Sequence, residues 1–180
     1  AVIAVVFIII KICRYVFRAQ KYAKNQYICY PFMKKQLNKA FIEHSRLDIR
    51  EIIEAKRSFM PLLLMGDESE PMIDRYLDRG RLFAAFSGDE PVAVCVVTDE
   101  GTDVAEVKNL AVAPDCRRRG IGRRMLKYVE GCNVGRTIIL GTGETPSTLR
   151  FYASCGYVYS HRVPGFFTDN YPQPIVGAVA

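Results

Sequence analysis

The chain has 180 residues, 49% of them hydrophobic and 24% charged, with a formal net charge of +6. This length and apolar share make one domain with a sizeable core. Residues 1–42 carry eight Lys or Arg and no acid, whereas residues 43–180 carry seventeen basic and nineteen acidic residues. The basic pI therefore comes from an N-terminal appendage, which argues against a nucleic-acid-binding domain.

Taken in chain order, Ala1–Ile10 is wholly apolar, and Ile12–Phe17 continues the run with Lys11 and Arg14 interrupting. Ten clean residues fall short of the roughly 20 that cross a bilayer. A basic n-region and an A-x-A cleavage site are missing, so a signal peptide fits poorly. Residues 1–36 then read either as a membrane contact made through residues 1–17, with a basic cytoplasmic flank, or as an extension without function. The second fits better, because a self-contained domain spans residues 37–180.

Within that domain Lys39–Glu43 alternates like a short strand, and the spacing after Leu47 predicts a helix burying Ile49, Ile52, Ile53 and Phe59. Ser69–Arg79 reads as a second helix closed by Gly80. Arg81–Ser87 and Val92–Thr98 are apolar runs around Gly88-Asp89-Glu90-Pro91, the pattern of a hairpin. Val104–Val112 is the central strand. Gly120–Cys132 is an amphipathic helix with Gly122, Met125, Leu126, Val129 and Cys132 inward. A strand at Thr137–Leu140, a helix at Ser147–Ser154 and a strand at Tyr157–Arg162 follow, and Pro174–Ala180 offers a short last strand or a truncated end. The order gives an α+β (α/β) class: a mixed central sheet of about six to seven strands flanked by about four helices.

The chemistry concentrates in Ala105–Gly122, AEVKNLAVAPDCRRRGIG. An apolar run, Leu110-Ala111-Val112, is followed by a turn at Pro114-Asp115 and then Arg117-x-x-Gly120-x-Gly122. A glycine turn opening onto a helix presents free N–H groups at the positive end of the helix dipole, and arginines add charge-assisted bonds. The arrangement suits a pyrophosphate. It is not a P-loop, because Arg123-Arg124 follow Gly122, and it lacks the third glycine of a dinucleotide turn.

These residues resemble the GNAT superfamily of acyl-CoA-dependent N-acyltransferases, whose signature is Arg/Gln-x-x-Gly-x-Gly/Ala after a strand ending in an L-x-V-like run. Thr145–Tyr157 also resembles the family's last motif, with Phe151, Tyr152, Gly156 and Tyr157 in place. Thr145 stands there for an asparagine and Thr148 for an alanine. The resemblance covers residues 38–165 and implies acetyl-CoA as co-substrate, no metal, and an amine-bearing acceptor. It implies that the run Leu110, Ala111 and Val112 pairs with the pantetheine arm through the backbone of Leu110 and Val112. It also implies that Arg117, Arg118, Arg119, Gly120, Ile121 and Gly122 hold the pyrophosphate by their N–H groups. Side-chain contacts come from Arg117 and Arg118, Arg123 reaches the adenosine phosphate or solvent, and Thr145 replaces part of the asparagine contact.

For catalysis, Glu106 lies fourteen residues before Gly120, where histone-acetylating relatives place a general base. The competing reading makes it a solvent-facing partner of Lys108. Tyr152 is the candidate general acid, and the Val112 N–H would meet charge on the carbonyl oxygen. Asp67, Glu68, Glu70 and Asp74, with Phe166, Phe167, Asp169 and Tyr171, would suit a cationic amine or form a solvated acidic loop. Cys13, Cys29, Cys95, Cys116, Cys132 and Cys155 show no metal or disulfide spacing, which points to a reduced, cytoplasmic protein. The reading is an N-acetyltransferase acting by direct attack in a ternary complex; the alternative is a catalytically idle acyl-CoA-binding module that acts as a sensor or interaction domain. Oligomeric state is open, a dimer included.

Overall fold

A computed structural model of the chain describes residues 6–12, 47–143 and 145–171. Its strands are β1 (Val6–Ile12), β2 (Leu47–Ile52), β3 (Arg81–Ser87), β4 (Glu90–Asp99), β5 (Val104–Val112), β6 (Thr137–Gly143) and β7 (Val158–Val163). They form one seven-stranded sheet in the order β2-β3-β4-β5-β6-β1-β7. The α-helices among the described residues are α1 (Met60–Leu63), α2 (Glu70–Leu77), α3 (Ile121–Cys132), α4 (Pro146–Ser154) and the short α5 (Phe166–Asn170). The expected mixed sheet is present: β5 and β6 run parallel and every other adjacent pair is antiparallel.

Two cores lie on the two faces. Met125, Leu126 and Val129 of α3 and Tyr152 of α4 pack with Phe83, Cys95, Val107 and Leu140. On the other face Leu62 and Leu63 of α1 and Ile73, Tyr76 and Leu77 of α2 pack with Leu82, Val94, Val96 and Ala111. Strands β3 and β4 are covered on both faces, so their sequences are apolar without alternation. Each fully buried Leu, Phe or Val contributes about 1.5–3 kcal/mol of transfer free energy.

The segment after Leu47 departs from the helix that its spacing predicts. Leu47–Ile52 is a strand, antiparallel to β3 from Leu47↔Ser87 to Ile52↔Leu82. Leu47 and Ile49 pack against the α3 core and Ile52 against the α1–α2 core, leaving Ile53 73% exposed. Apolar residues at 49, 52 and 53 satisfy a helical template locally. The open edge of a buried β3 supplies backbone partners that a helix would leave unused. Helical backbone begins only with a 3-10 turn at Lys56–Phe59 that runs into α1.

The hairpin β3–β4 turns through Gly88-Asp89, with Gly88 at φ +64°, where a two-residue loop asks for glycine. In α3 the inward positions are Ile121, Met125, Leu126 and Val129, while Cys132 is exposed rather than inward. Asn133 takes the inward place instead, its Nδ2 donating to the Val129 carbonyl at 2.8 Å.

Val6–Ile12 stands inside the sheet, between β6 and β7. It pairs with β6 from Val6↔Gly143 to Ile12↔Thr137, and with β7 from Val6↔Val163 to Ile10↔Val158. The sheet thus draws on both sides of the sequence division at residues 36 and 37. The strand expected at Lys39–Glu43 and the run Pro174–Ala180 lie outside the described residues. Among the described residues no helix is long and apolar enough to cross a membrane.

Candidate active site

The site is built on β5, along which buried and half-buried residues alternate. Its pairing with β4 shifts register so that Val96 faces Asn109 and Val97 faces Val107, which leaves Lys108 as a bulged extra residue. Pairing with β6 covers only Val104↔Thr137 to Val107↔Leu140. Beyond Leu140, β6 continues beside β1 while β5 continues beside β4. The two parallel strands separate where the bulge increases the local twist, and a cleft opens between them.

The backbone of β5 is directed into that cleft. The Ala113 N–H donates to the Val92 carbonyl at 2.8 Å. By alternation in an antiparallel ladder, Ala111 also turns its polar groups to β4, and Leu110 and Val112 turn theirs to the open edge. The Val112 carbonyl accepts from Arg117 Nε at 3.0 Å, so the Arg117 side chain folds back along the rim.

The turn after β5 is concave. Arg118 has φ +60° and Gly120 φ +78°, two left-handed residues on either side of Arg119. Such alternation points successive N–H groups inward, as in an anion-binding nest. For Arg118 the conformation costs roughly 1–2 kcal/mol, because Cβ crowds the following carbonyl. Gly120 is the N-cap of α3 and has no side chain to cap it, and the first helical bond is Arg124 N–H to Gly120 C=O at 3.1 Å. The amides of Ile121, Gly122 and Arg123 therefore remain at the positive helix end. A Cβ on Gly122 would stand 3.1 Å from Phe151 Cζ, so glycine lets α4 close on α3. The Arg123 guanidinium bonds Ser154 Oγ at 3.0 Å, and Arg119 is exposed.

Tyr152 is 7% exposed, in edge contact with Phe151 and Tyr157. Burial, with the Cys95 and Cys155 thiols nearby, pushes its phenol well above the ordinary value, so it holds its proton at neutral pH. Cys95 pairs with Leu110 across the ladder, and Tyr152 packs in the same core cluster as both. Thr145 is the N-cap of α4: its Oγ1 accepts from Thr148 N–H at 3.2 Å and lies 2.6 Å from Thr148 Oγ1. Its hydroxyl is engaged in capping, and Thr148 is the buried partner in that cap.

The bulge settles which face each side chain of β5 takes. Ala105, Val107, Leu110 and Val112 pack on the α3 side, and Ala111 on the α1–α2 side. Glu106, Asn109 and Ala111 consequently share the α1–α2 face. Lys108 Nζ donates to Glu106 Oε2 at 2.6 Å and lies 3.7 Å from Glu100.

Asn109 and Tyr76 had no signal in sequence, since a bulge that turns Asn109 inward leaves no local mark. Asn109 is 3% exposed, and its Nδ2 donates to the Leu63 carbonyl at 2.9 Å and to Tyr76 Oη at 3.1 Å. Tyr76 donates to Asp67 Oδ2 at 3.2 Å, the Ser69 N–H donates to Asp67 Oδ1 at 3.2 Å, and the Tyr171 hydroxyl bonds the same carboxylate. Burial raises the Asp67 carboxyl above its ordinary value, and those donors only partly offset it. Glu70 and Asp74, expected on the same side, instead pair with Arg57 at 3.3 and 2.5 Å.

Comparison with known proteins accords with this geometry. Residues 78–159 match a family described as an acetyltransferase (GNAT) domain. The uncharacterized N-acetyltransferase YvbK of Bacillus subtilis strain 168 is 30% identical over 134 residues, 72% of this chain and 85% of that protein. The crystal structure of a GNAT family acetyltransferase from Elizabethkingia anophelis with acetyl-CoA bound is similar at 30% identity and a TM-score of 0.68, over 73% of this chain and 88% of that one. A Bacillus subtilis acetyltransferase in complex with CoA is similar at 28% identity and a TM-score of 0.65, over 73% and 90% of the two chains.

Proposed function

The chain belongs to the GNAT acetyltransferase family, and from that membership we propose that it transfers an acetyl group from acetyl-CoA to a primary amine by direct attack in a ternary complex. The observation that carries the reading is the separation of β5 from β6 after Val107–Leu140, with the backbone of Leu110 and Val112 facing the gap. An extended arm bearing amides can add there as a strand. The nest from Arg117 to Gly122 suits a pyrophosphate, and its glycines let the phosphates approach the backbone.

In the transfer, the amine nitrogen bonds to the thioester carbon and the carbon–sulfur bond breaks. Glu106 takes the proton that the amine loses, once Lys108 yields its place on Oε2. The Val112 N–H meets the negative charge that grows on the carbonyl oxygen. Tyr152 gives its proton to the leaving thiolate, a transfer that works against the burial which raises its phenol and weakens it as an acid. The free thiols Cys95, Cys116, Cys132 and Cys155 fit a reducing, cytoplasmic setting.

One observation favours the alternative of an idle acyl-CoA-binding module: the ammonium of Lys108 sits on the carboxylate that should act as base. Calorimetric titration of acetyl-CoA into the full chain, followed by a thiol-release assay with Glu106→Gln and Tyr152→Phe, separates the two. The enzyme reading expects unchanged acetyl-CoA affinity with turnover reduced about 10²–10⁴-fold. Binding without amine turnover in the unmutated chain supports the module. No binding to the folded chain overturns both.

A further inference from the structure

An acceptor must approach Glu106 from the face on which its carboxylate lies, which is the α1–α2 face of β5. Four separate pieces of chain converge on that face at one point. The end of α1 contributes the Leu63 carbonyl, the connection to α2 contributes Asp67, α2 contributes Tyr76, and the segment after α5 contributes Tyr171. The Leu63 carbonyl and Tyr76 bond Asn109, which stands between Glu106 and Leu110 on the bulged strand; Asp67 joins through Tyr76, and Tyr171 through Asp67. The tether is close: a Cβ on Gly66 would stand only 2.5 Å from Asn109 Oδ1, so the connection lies directly on the asparagine.

A clasp for stability alone would have no need of a carboxylate. Burying an ionisable group is unfavourable beside a neutral partner of similar shape, and here burial outweighs the donors that hold it. A carboxylate buried at such a cost suits a place where position matters more than stability. Asp67 is turned toward its own neighbours: Ser69 N–H and Tyr76 bond its two oxygens, and Tyr171 bonds the same carboxylate.

We infer that the chain Asn109–Tyr76–Asp67–Tyr171 is the acceptor-positioning device of this protein, in which Asp67 and Tyr76 hold the α1–α2 connection and Tyr171 against the face of β5 that carries Glu106 and so set the affinity for the amine. The inference rests on the acetyltransferase reading. Asp67 and Tyr76 are positioning residues, acting through the wall that they order, and acetyl-CoA is held by other residues, at the open edge of β5 and in the turn after it.

The test is steady-state kinetics of the full chain, its Asp67→Asn and its Tyr76→Phe, with spermidine, kanamycin and L-lysine as amines and a melting curve for each protein at pH 7. The expected result is an acceptor KM raised about tenfold in both variants, the scale of one lost charge-assisted hydrogen bond. The KM for acetyl-CoA stays within about twofold, and the Tm of Asp67→Asn does not fall below that of the unmutated chain. Unchanged acceptor KM in both variants overturns the inference while leaving the acetyltransferase reading intact. A fall in Tm with kcat and both KM values moving together reduces the network to a structural clasp and also overturns it. If the unmutated chain binds acetyl-CoA but acetylates no amine, the acetyltransferase reading fails, and this inference with it. Should Asp67→Asn fail to fold, Tyr76→Phe alone decides the matter.

Discussion

Strand β6 has two edges with opposite fates. Along one, β5 keeps only the four pairs from Val104↔Thr137 to Val107↔Leu140 before it leaves. Along the other, β1 keeps seven pairs from end to end. Both edges present the same kind of backbone, so the difference lies in the neighbour. Strand β5 is bulged at Lys108 and committed to β4, whereas β1 follows β6 without a break in register. The open edge faces the residues assigned to the coenzyme. The closed edge is what holds β7, which pairs with β1 and with no other strand among the described residues.

The largest effect should come from breaking the closed edge. Ile9→Pro removes an N–H from a strand with partners on both sides, and should cost about 3 kcal/mol, on the order of 10 °C in Tm. Acetyl-CoA affinity of the folded protein should hardly change. An unaltered melting curve would show that the sheet does not depend on this strand.

Breaking the open edge comes next. Gly120→Glu places a side chain at φ +78° and a negative charge where the N–H groups converge. Calorimetry should record acetyl-CoA affinity lower by about 100-fold or more, with a much smaller change in Tm. Equal affinity in this variant would remove the turn from the coenzyme site.

A smaller effect sharpens the acceptor face of β5. Gly66→Ala drives a methyl group onto Asn109 Oδ1 and should cost about 1–2 kcal/mol, read as a shift in chemical denaturation midpoint. The same variant should weaken amine binding more than coenzyme binding.

The smallest effects are in pH dependence, and two carboxylates should give opposite signs. Glu51 accepts from Arg81 Nε at 3.0 Å and Nη2 at 2.7 Å, which holds its carboxyl below the ordinary 4.5. Its stabilisation is present above that value and is lost as pH falls through the folded-state value. Glu51→Gln should cost under about 1 kcal/mol at pH 7, because the pair is partly solvated. That difference should vanish in acid. Asp67 is raised instead, facing Glu68 on its own connection, Tyr76 of α2 and Tyr171, the last with Arg75 nearby. The stability associated with its protonated form is lost as pH rises through the folded-state value. Melting curves should therefore show Asp67→Asn at least as stable as the unmutated chain at pH 7, with any gap closing below about pH 4.

Much of this architecture was legible from residues alone. Strand β5 occupies the Val104–Val112 read from the sequence as the central strand, and α3 begins at the glycine pattern of Gly120 and Gly122. The β3–β4 hairpin turns at Gly88, where the backbone needs a positive φ. These signals work because each is written within one turn or one strand. The segment from Leu47 misled because Ile49, Ile52 and Ile53 fit a helical period, and only the free edge of β3 decided for a strand. Thr145 stood where the family has asparagine, and its hydroxyl caps α4, a use that requires Thr148 three residues on.

By itself, the sequence determined the central strand, the glycine turn after it and the helix behind it, because period and glycine act over a few residues. Only the tertiary structure decided that Lys108 bulges, that Asn109 thereby turns to the face of Glu106, and that Val6–Ile12 lies more than 100 residues from both of its strand partners in sequence. Those outcomes depend on which backbone edges remain unpaired after the rest of the sheet has formed. No local pattern of side chains encodes that.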